Sequence, residues 1–209
     1  MIINNIFFSL QGEGAEIGAP TIFIRTAGCN LRCAYCDTTQ AYLKGKRMTL
    51  QQIIREVERF PCKTVCVTGG EPLIQQDLPR LIQELSKKRY IITIETNGSK
   101  SIKKYSYKNS VKISLDIKCP SSGMMEQMDF TNLSLLTKKD QLKCIIQNKK
   151  DYDYAKKMVT TMHPSCVVFF QPVWGTSMKQ LSSWILRDGL PVRFGTQLHK
   201  IIWGAKTRK

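Results

Sequence analysis

The chain has 209 residues, 42% of them hydrophobic, enough to bury one core and few for two independent ones, so a single domain spanning 1–209 is expected. Its formal net charge of +16 attracts anions of any kind, but the lysines and arginines are dispersed in pairs such as Lys87 and Lys88, without the aromatic-interleaved stripe on which bases stack, so nucleic acid is not a required partner. No apolar run approaches the ~20 residues of a membrane span and Met1 to Leu10 carry no basic leader, which points to a cytoplasmic chain without a membrane partner.

From Thr21 onward, short β-rich runs alternate with stretches of helical period, the pattern of an α/β domain. A strand is expected at 21–27, then a helix at 50–60 with Thr49 as N-cap and Ile53, Ile54, Val57 and Phe60 as its apolar stripe. A strand at 64–68 leads to a helix at 78–88, with Asp77 as N-cap and Leu78, Leu81, Ile82 and Leu85 buried. Strands follow at 91–95, 111–117 and 141–146, a helix at 152–162, a strand at 166–171, a helix at 178–187 and a strand at 192–196. The stretch 118–136 is poorly periodic and reads as an abbreviated helical segment in the middle of the chain.

Parallel strands joined by crossover helices collect functional groups at their carboxyl ends. Polar and glycine-rich residues fall there: Cys29 after the first strand, Thr68-Gly69-Gly70-Glu71-Pro72 at the second, Glu95-Thr96-Asn97-Gly98 at the third, Asp116 and Lys118 at the fourth, Lys143 within the fifth, and Gln171-Pro172 at the sixth. An open, partial TIM-like barrel of about six βα units suits this length better than a closed eightfold barrel, which typically takes about 250 residues.

Cys29, Cys33 and Cys36 form a C-x-x-x-C-x-x-C run directly after the first strand. Thiolates suit iron–sulfur clusters and zinc, but structural zinc is closed by four protein ligands, and no other Cys or His lies within twelve residues on either side. Three thiolates on a four-iron cluster leave one iron open to an outside ligand. Cys62, Cys66, Cys119, Cys144 and Cys166 are scattered through apolar stretches and read as core residues of a reducing compartment.

The cysteine run after the first strand, with Gly-Gly-Glu-Pro after the second, resembles the radical S-adenosylmethionine (SAM) superfamily. That resemblance implies a [4Fe-4S] cluster on Cys29, Cys33 and Cys36, SAM on the open iron, Gly70 against its methionyl amine, and Tyr35 and Asp37 on its adenine or ribose side. Ser114, Asp116 and Lys118 match positions near the SAM ribose and carboxylate, and Gln171 and Trp174 are further SAM-side candidates; strand-end charges and a core-capping Trp174 are the structural alternatives.

Phe8-Ser9-Leu10-Gln11-Gly12-Glu13-Gly14, Gly18-Ala19-Pro20, Phe23-Ile24-Arg25, Cys36-Asp37-Thr38 and Gln197-Leu198-His199-Lys200 narrow the resemblance to the 7-carboxy-7-deazaguanine synthase family of queuosine biosynthesis. It implies a lyase that converts 6-carboxy-5,6,7,8-tetrahydropterin to 7-carboxy-7-deazaguanine with loss of ammonia, assisted by Mg2+. It also implies a homodimer and an electron donor such as flavodoxin or ferredoxin. A carboxypterin offers an anionic end and a ring edge rich in donors and acceptors. Arg25 can bind the carboxylate bidentately, and Gln11, Glu13 and the backbone of Leu10 and Gly12 can pair with the ring, while a structural ion pair for Arg25 and a surface position for Glu13 are the alternatives. By the same likeness Thr68 and His199 face the substrate, and Thr38 supplies a hard oxygen to magnesium, its alternative being a helix cap. Family members can bring a C-terminal carboxylate to the substrate, whereas this chain continues through Ile201 to a basic end at Lys206, Arg208 and Lys209. Two rivals share parts of the pattern, a glycyl-radical enzyme activase with the same cysteine spacing and a basic zinc-bearing RNA-binding module.

Overall fold

The computed structural model describes residues 1–204; the basic end at 205–209, with any contact of a terminal carboxylate, lies outside the described residues. Its frame is one nine-stranded sheet in the order β3-β1-β2-β4-β5-β6-β7-β8-β9. Seven strands run parallel: β2 (Pro20–Thr26), β4 (Thr64–Gly69), β5 (Ile91–Thr96), β6 (Val111–Ile117), β7 (Gln141–Ile146), β8 (Val167–Pro172) and β9 (Arg193–Phe194). Six crossovers join them, and the sheet stays open because its two end strands, β3 (Lys46–Arg47) and β9, do not pair with each other.

Residues two apart on a strand share a face, and that parity sorts the chain into core and site. Ile22 and Ile24, Val65 and Val67, Ile92 and Ile94, Ile113 and Leu115, Leu142 and Cys144, and Val168 and Phe170 join one apolar cluster. Against it pack α1 (Leu50–Glu58), α2 (Leu78–Lys87) and α4 (Lys149–Met162) through Ile53, Val57, Leu81, Leu85, Tyr152 and Ala155. The intervening residues Arg25, Thr68, Glu95, Asp116, Lys143 and Gln171 therefore share the opposite, concave face.

Thr49 caps α1 through a full capping box, its Oγ1 accepting from the Gln52 N–H and its own N–H donating to Gln52 Oε1. Asp77 makes no side-chain cap on α2; its carboxylate lies 3.8 Å from the Met1 amino group and 4.0 Å from Arg80. The helix α4 starts at Lys149, three residues before the expected 152, because Asn148 accepts from the Asp151 N–H. The helices α3 (Lys103–Ser106) and α5 (Met178–Asp188) complete two further crossovers.

The sequence pattern does not announce β1 (Ile2–Leu10), which pairs antiparallel with β2 and carries β3 on its far side. Asn4 and Asn5 interrupt its alternation, and a register shift falls between Ile3 and Asn5. The hairpin closes where Gln11 N–H donates to Ala19 O and Gly18 N–H to Gln11 O, each at 2.8 Å, which sets Leu10 to Glu13 beside the first parallel strand.

The crossover from β6 to β7 is built from three short 3-10 segments, Pro120–Ser122, Met125–Gln127 and Phe130–Leu135. Side chains hold it in place of a periodic apolar stripe. Asn132, fully buried, accepts from the Ile102 N–H and donates to Gly98 O and Lys100 O, while Asp151 accepts from the Ser121 and Gln147 N–H groups. Asn132→Ala leaves the buried Ile102 N–H without its partner and removes the bonds to Lys100 O and to Gly98 O, which keeps the Asp129 N–H, and is expected to lower stability by about 2 kcal/mol, read as a fall in the urea midpoint at unchanged slope.

Candidate active site

The concave face and the loops above it enclose a cavity of about 600 Å³. Every site residue expected from the sequence reaches its wall except Ser114, which is fully buried one layer down and accepts from Gln141 Nε2 at 2.7 Å. Ser114 shares a face with Asp116, but two residues earlier on β6 it lies beneath the cavity floor.

The cysteine loop leaves β2 and is pinned by Leu31, 2% exposed, and by a Cys33 O to Cys36 N–H bond of 3.2 Å. Cys29, Cys33 and Cys36 are free, half-buried and face the cavity. Burial pushes the Cys33 thiol up against the pull of Lys118, and Cys36 and Cys29 add to the rise, so ionising the trio calls for positive charge among the three sulfurs. Among the described residues no group of Cys, His, Asp or Glu is gathered to hold one metal ion. An iron–sulfur cube takes each thiolate on a different iron, and the residues fit that group better than a single zinc.

The Gly-Gly-Glu-Pro turn fastens this loop down. Gly70 N–H donates to Thr26 O at 3.1 Å and Glu71 N–H to Gly28 O at 2.8 Å. A Cβ on Gly70 would stand 2.0 Å from Gly28 O, and Gly69, at φ +132°, would put one 2.2 Å from Thr26 O. Glu71 points away from the cavity and is fully buried, accepting from the N–H groups of Leu73 and Asn97 and from Thr96 Oγ1. Burial holds its carboxyl above the usual range despite those bonds. Glu71 thereby ties β4 to the end of β5, where Asn97 Nδ2 lies 3.8 Å from Cys29 Sγ.

On the floor, Lys143, with a side chain 4% exposed, pairs with Glu13 at 2.8 Å and Asp116 at 3.3 Å, and Asp116 also pairs with Lys118 at 2.9 Å. Burial opposes charge on all four, yet the partners outweigh it: Glu13 and Asp116 titrate below the usual carboxylate range, Lys118 and Lys143 above the usual lysine range. The stability that the carboxylates contribute is present above their ordinary range and lost as the pH falls through the depressed folded values. That of the lysines is present below their ordinary range and lost as the pH rises through the elevated ones, so the network is intact across neutral pH.

Over the opening lies α6 (Leu198–Trp203), too short to stand out in the sequence. Gln197 Nε2 donates to Glu13 Oε1 at 2.9 Å and to Asp37 at 3.3 Å, Lys200 pairs with Asp37 at 2.6 Å, and Leu198 N–H donates to Gly12 O. The His199 ring sits where a Cβ on Gly12 would be, 2.0 Å from Nδ1, and burial holds its pKa below the usual value. Thr38 does not cap the following turn; its Oγ1 donates to Asp37 Oδ1 at 3.0 Å. Trp174 is an exposed rim residue with Lys200 5.8 Å above its ring.

Three of the four cavity carboxylates are thus paired with lysine, and one of each sign is left. Glu95 accepts from Thr68 Oγ1 at 2.9 Å and Gln11 Nε2 at 3.3 Å, and Arg25 lies over the Phe7 ring at 5.0 Å; among the described residues neither makes a salt bridge. Tyr35 Oη and Gln171 Oε1 are buried in the same wall without hydrogen-bond partners, capacity that a ligand can use. Sequence reasoning places Glu95 and Lys143 among the strand-end groups and Gln197 and Lys200 in a family-like run, but assigns none of the four a role. The available signal was Lys143 itself, a charge in the middle of the apolar strand Gln141–Ile146 that demands a buried counter-charge.

Gly70→Ala forces backbone against backbone and is expected to displace the cysteine loop: iron and sulfide per chain should fall to less than about half of native after anaerobic reconstitution, with a stability loss of about 3 kcal/mol.

Residues 23–122 match the Radical SAM superfamily. Over 204 residues the chain is 36% identical to the 7-carboxy-7-deazaguanine synthase of Thermoplasma acidophilum, with 98% of each chain covered. It is 39% identical over 206 residues to the synthase of Methanospirillum hungatei, covering 97% of this chain and 85% of that one. The crystal structure of QueE from Escherichia coli superposes with a TM-score of 0.76 over 95% of this chain and 94% of its own, at 24% identity, a likeness of fold. With the cysteine loop, the Gly-Gly turn and identity of this order over nearly the whole length, the chain belongs to the 7-carboxy-7-deazaguanine synthase family of radical SAM enzymes.

Proposed function

We propose that this cavity converts 6-carboxy-5,6,7,8-tetrahydropterin to 7-carboxy-7-deazaguanine with loss of ammonia. The observation that carries the substrate is the leftover pair on the floor: one cation, Arg25, and one carboxylate, Glu95, both free of salt bridges among the described residues and both facing the cavity. A ligand with a carboxylate at one end and an N–H-rich ring edge at the other satisfies both, the first by a forked guanidinium contact and the second by carboxylate acceptance. Gln11 and Thr68 hold Glu95 in place, and Phe7 holds Arg25. A protein-modifying activase has no use for such a pair inside a cavity of this size.

Bound together, the cluster and SAM supply one-electron reductive cleavage and hydrogen abstraction from the pterin carbon that bears the carboxylate. The chain's part is to hold and exclude. Cys29, Cys33 and Cys36 hold the cluster; Gly70, Tyr35, Asp116, Lys118 and Gln171 offer the SAM side its backbone, hydroxyl, charge and amide groups. The α6 strap, through Gln197, His199 and Lys200, covers the pterin side and keeps water from it. Thr38 Oγ1, donating its proton to Asp37, keeps its lone pairs for a hard cation, and magnesium there would fix the substrate carboxylate. The family likeness supports a homodimer and a flavodoxin or ferredoxin donor, and eight free cysteines support a cytoplasmic setting.

Anaerobic incubation with SAM, reductant and the carboxypterin should yield 7-carboxy-7-deazaguanine by mass spectrometry, in excess over 5′-deoxyadenosine because loss of ammonia leaves the oxidation level of the carboxypterin unchanged and the abstracted hydrogen must be returned; 5′-deoxyadenosine without a deazapurine would reject the substrate and leave the superfamily. Arg25→Gln should raise KM for the carboxypterin by about 10- to 100-fold, the worth of a lost charged hydrogen bond, with a smaller change in kcat. Thr38→Ala should lower turnover and flatten its magnesium dependence in a titration of the metal; an unchanged magnesium response removes Thr38 from the reaction.

A further inference from the structure

We infer that Lys143 is a positioning residue that couples the two ends of the cavity, holding Glu13 on the pterin side and Asp116 on the SAM side with one shared ammonium. The inference rests on the reading of the cavity given above and goes beyond it in making the occupancy of one end felt at the other.

Lys143 stands on the concave face of β7 between Leu142 and Cys144, both turned into the core. Its two carboxylate partners come from opposite directions. Glu13 belongs to the turn after β1 and is 130 residues away in sequence; Asp116 closes the neighbouring strand β6, directly paired with Lys143 in register. Each partner's other oxygen is taken locally, Glu13 Oε1 by Gln197 and Asp116 Oδ2 by Lys118. Glu13 and Asp116 are close enough that each disfavours the other's charge, and Lys143 is the one ammonium that lies between them among the described residues. Glu95 is the third carboxylate that acts on Lys143, from β5.

Two buried carboxylates that share one cation cannot be placed independently. A ligand that orders Asp116 and Lys118 orders Lys143, and through it Glu13 and the Gln11–Glu13 turn. Binding at one end therefore removes part of the ordering cost at the other, which is positive cooperativity. Without Lys143 the carboxylates move apart or one takes up a proton, and both ends lose their placement.

The test uses anaerobic holoenzyme without reductant, so that both ligands bind without turnover, and reads dissociation constants by calorimetry. In the native enzyme SAM is expected to tighten carboxypterin binding by about 5- to 150-fold, the usual range of coupling between sites. In Lys143→Met both dissociation constants should rise, by about 30-fold for the loss of one member of a buried charge network, and the coupling factor should fall to near one. Lys143→Arg, which keeps the charge, should restore part of the factor. Where the single variant does not load its cluster, Glu13→Gln/Lys143→Met removes both charges of the pair and should likewise show no coupling. Native enzyme that binds both ligands without coupling, or a Lys143 variant that keeps the native factor, overturns the inference. Native enzyme that binds SAM but no carboxypterin overturns instead the substrate reading beneath it.

Discussion

The site depends on one backbone contact, the approach of the turn after β4 to the chain leaving β2. Gly70 N–H on Thr26 O and Glu71 N–H on Gly28 O are the bonds, and the room for them exists only because residues 69 and 70 have no Cβ. This contact places the cysteine loop over the carboxyl ends of the parallel strands rather than beside them. Glu71 extends the same fastening to β5 through Thr96 and Asn97, so three strand ends and the cysteine loop are tied to one another. The motif's glutamate accordingly acts on the loop from behind, and the motif's glycines act by letting main chains meet.

A second constraint is electrostatic. The chain as a whole carries +16, yet its cavity is balanced: Glu13, Asp37, Glu95 and Asp116 face Arg25, Lys118, Lys143 and Lys200. The surface charge can draw an anionic substrate toward the protein, but it cannot select one. Arg25 and Glu95 are the two that make no salt bridge among the described residues, although Glu95 and Asp37 act on Arg25 through space and Glu95 acts on Lys143. Buried pairs of this kind are costly to desolvate and add little net stability; their value here lies in fixing where the remaining charges stand.

Local and long-range information divide what the sequence discloses. The cysteine loop, the Gly-Gly turn and the strand ends are legible because each is written in fewer than a dozen consecutive residues, and a parallel sheet brings its carboxyl ends together whatever the details of the helices. Strand parity then carries Arg25, Thr68, Asp116 and Gln171 to the right face. Parity does not report depth, and Ser114, on the correct face of β6, lies under the floor with Gln141. β1 is hidden by Asn4 and Asn5, which break its alternation: Asn4 reaches Lys44 O at 2.6 Å, and Asn5 buries its Oδ1. The Glu13 to Lys143 pair is hidden by the 130 residues between its members, and α6 by its length of six residues, too few to hold a helix without the contacts that Gln197, Leu198 and Lys200 make to the loops below.

Those contacts give α6 a place at the cavity wall that its length would not suggest. Gln197 bonds at once to Glu13, on the pterin side, and to Asp37, beside the third cysteine. Lys200 repeats the link to Asp37 and is itself buried, its ammonium over the Trp174 ring, so the strap is anchored on the cysteine loop at one edge and on the β1 turn at the other. These anchors are side-chain bonds between charged and amide groups, and none of the anchoring residues belongs to the apolar cluster. The sheet with its fastened cysteine loop is thus held by the apolar cluster and by main-chain bonds, whereas α6 is held at the cavity wall by polar side-chain bonds and one main-chain bond, so its placement rests on the charge pattern of the site and not on the core.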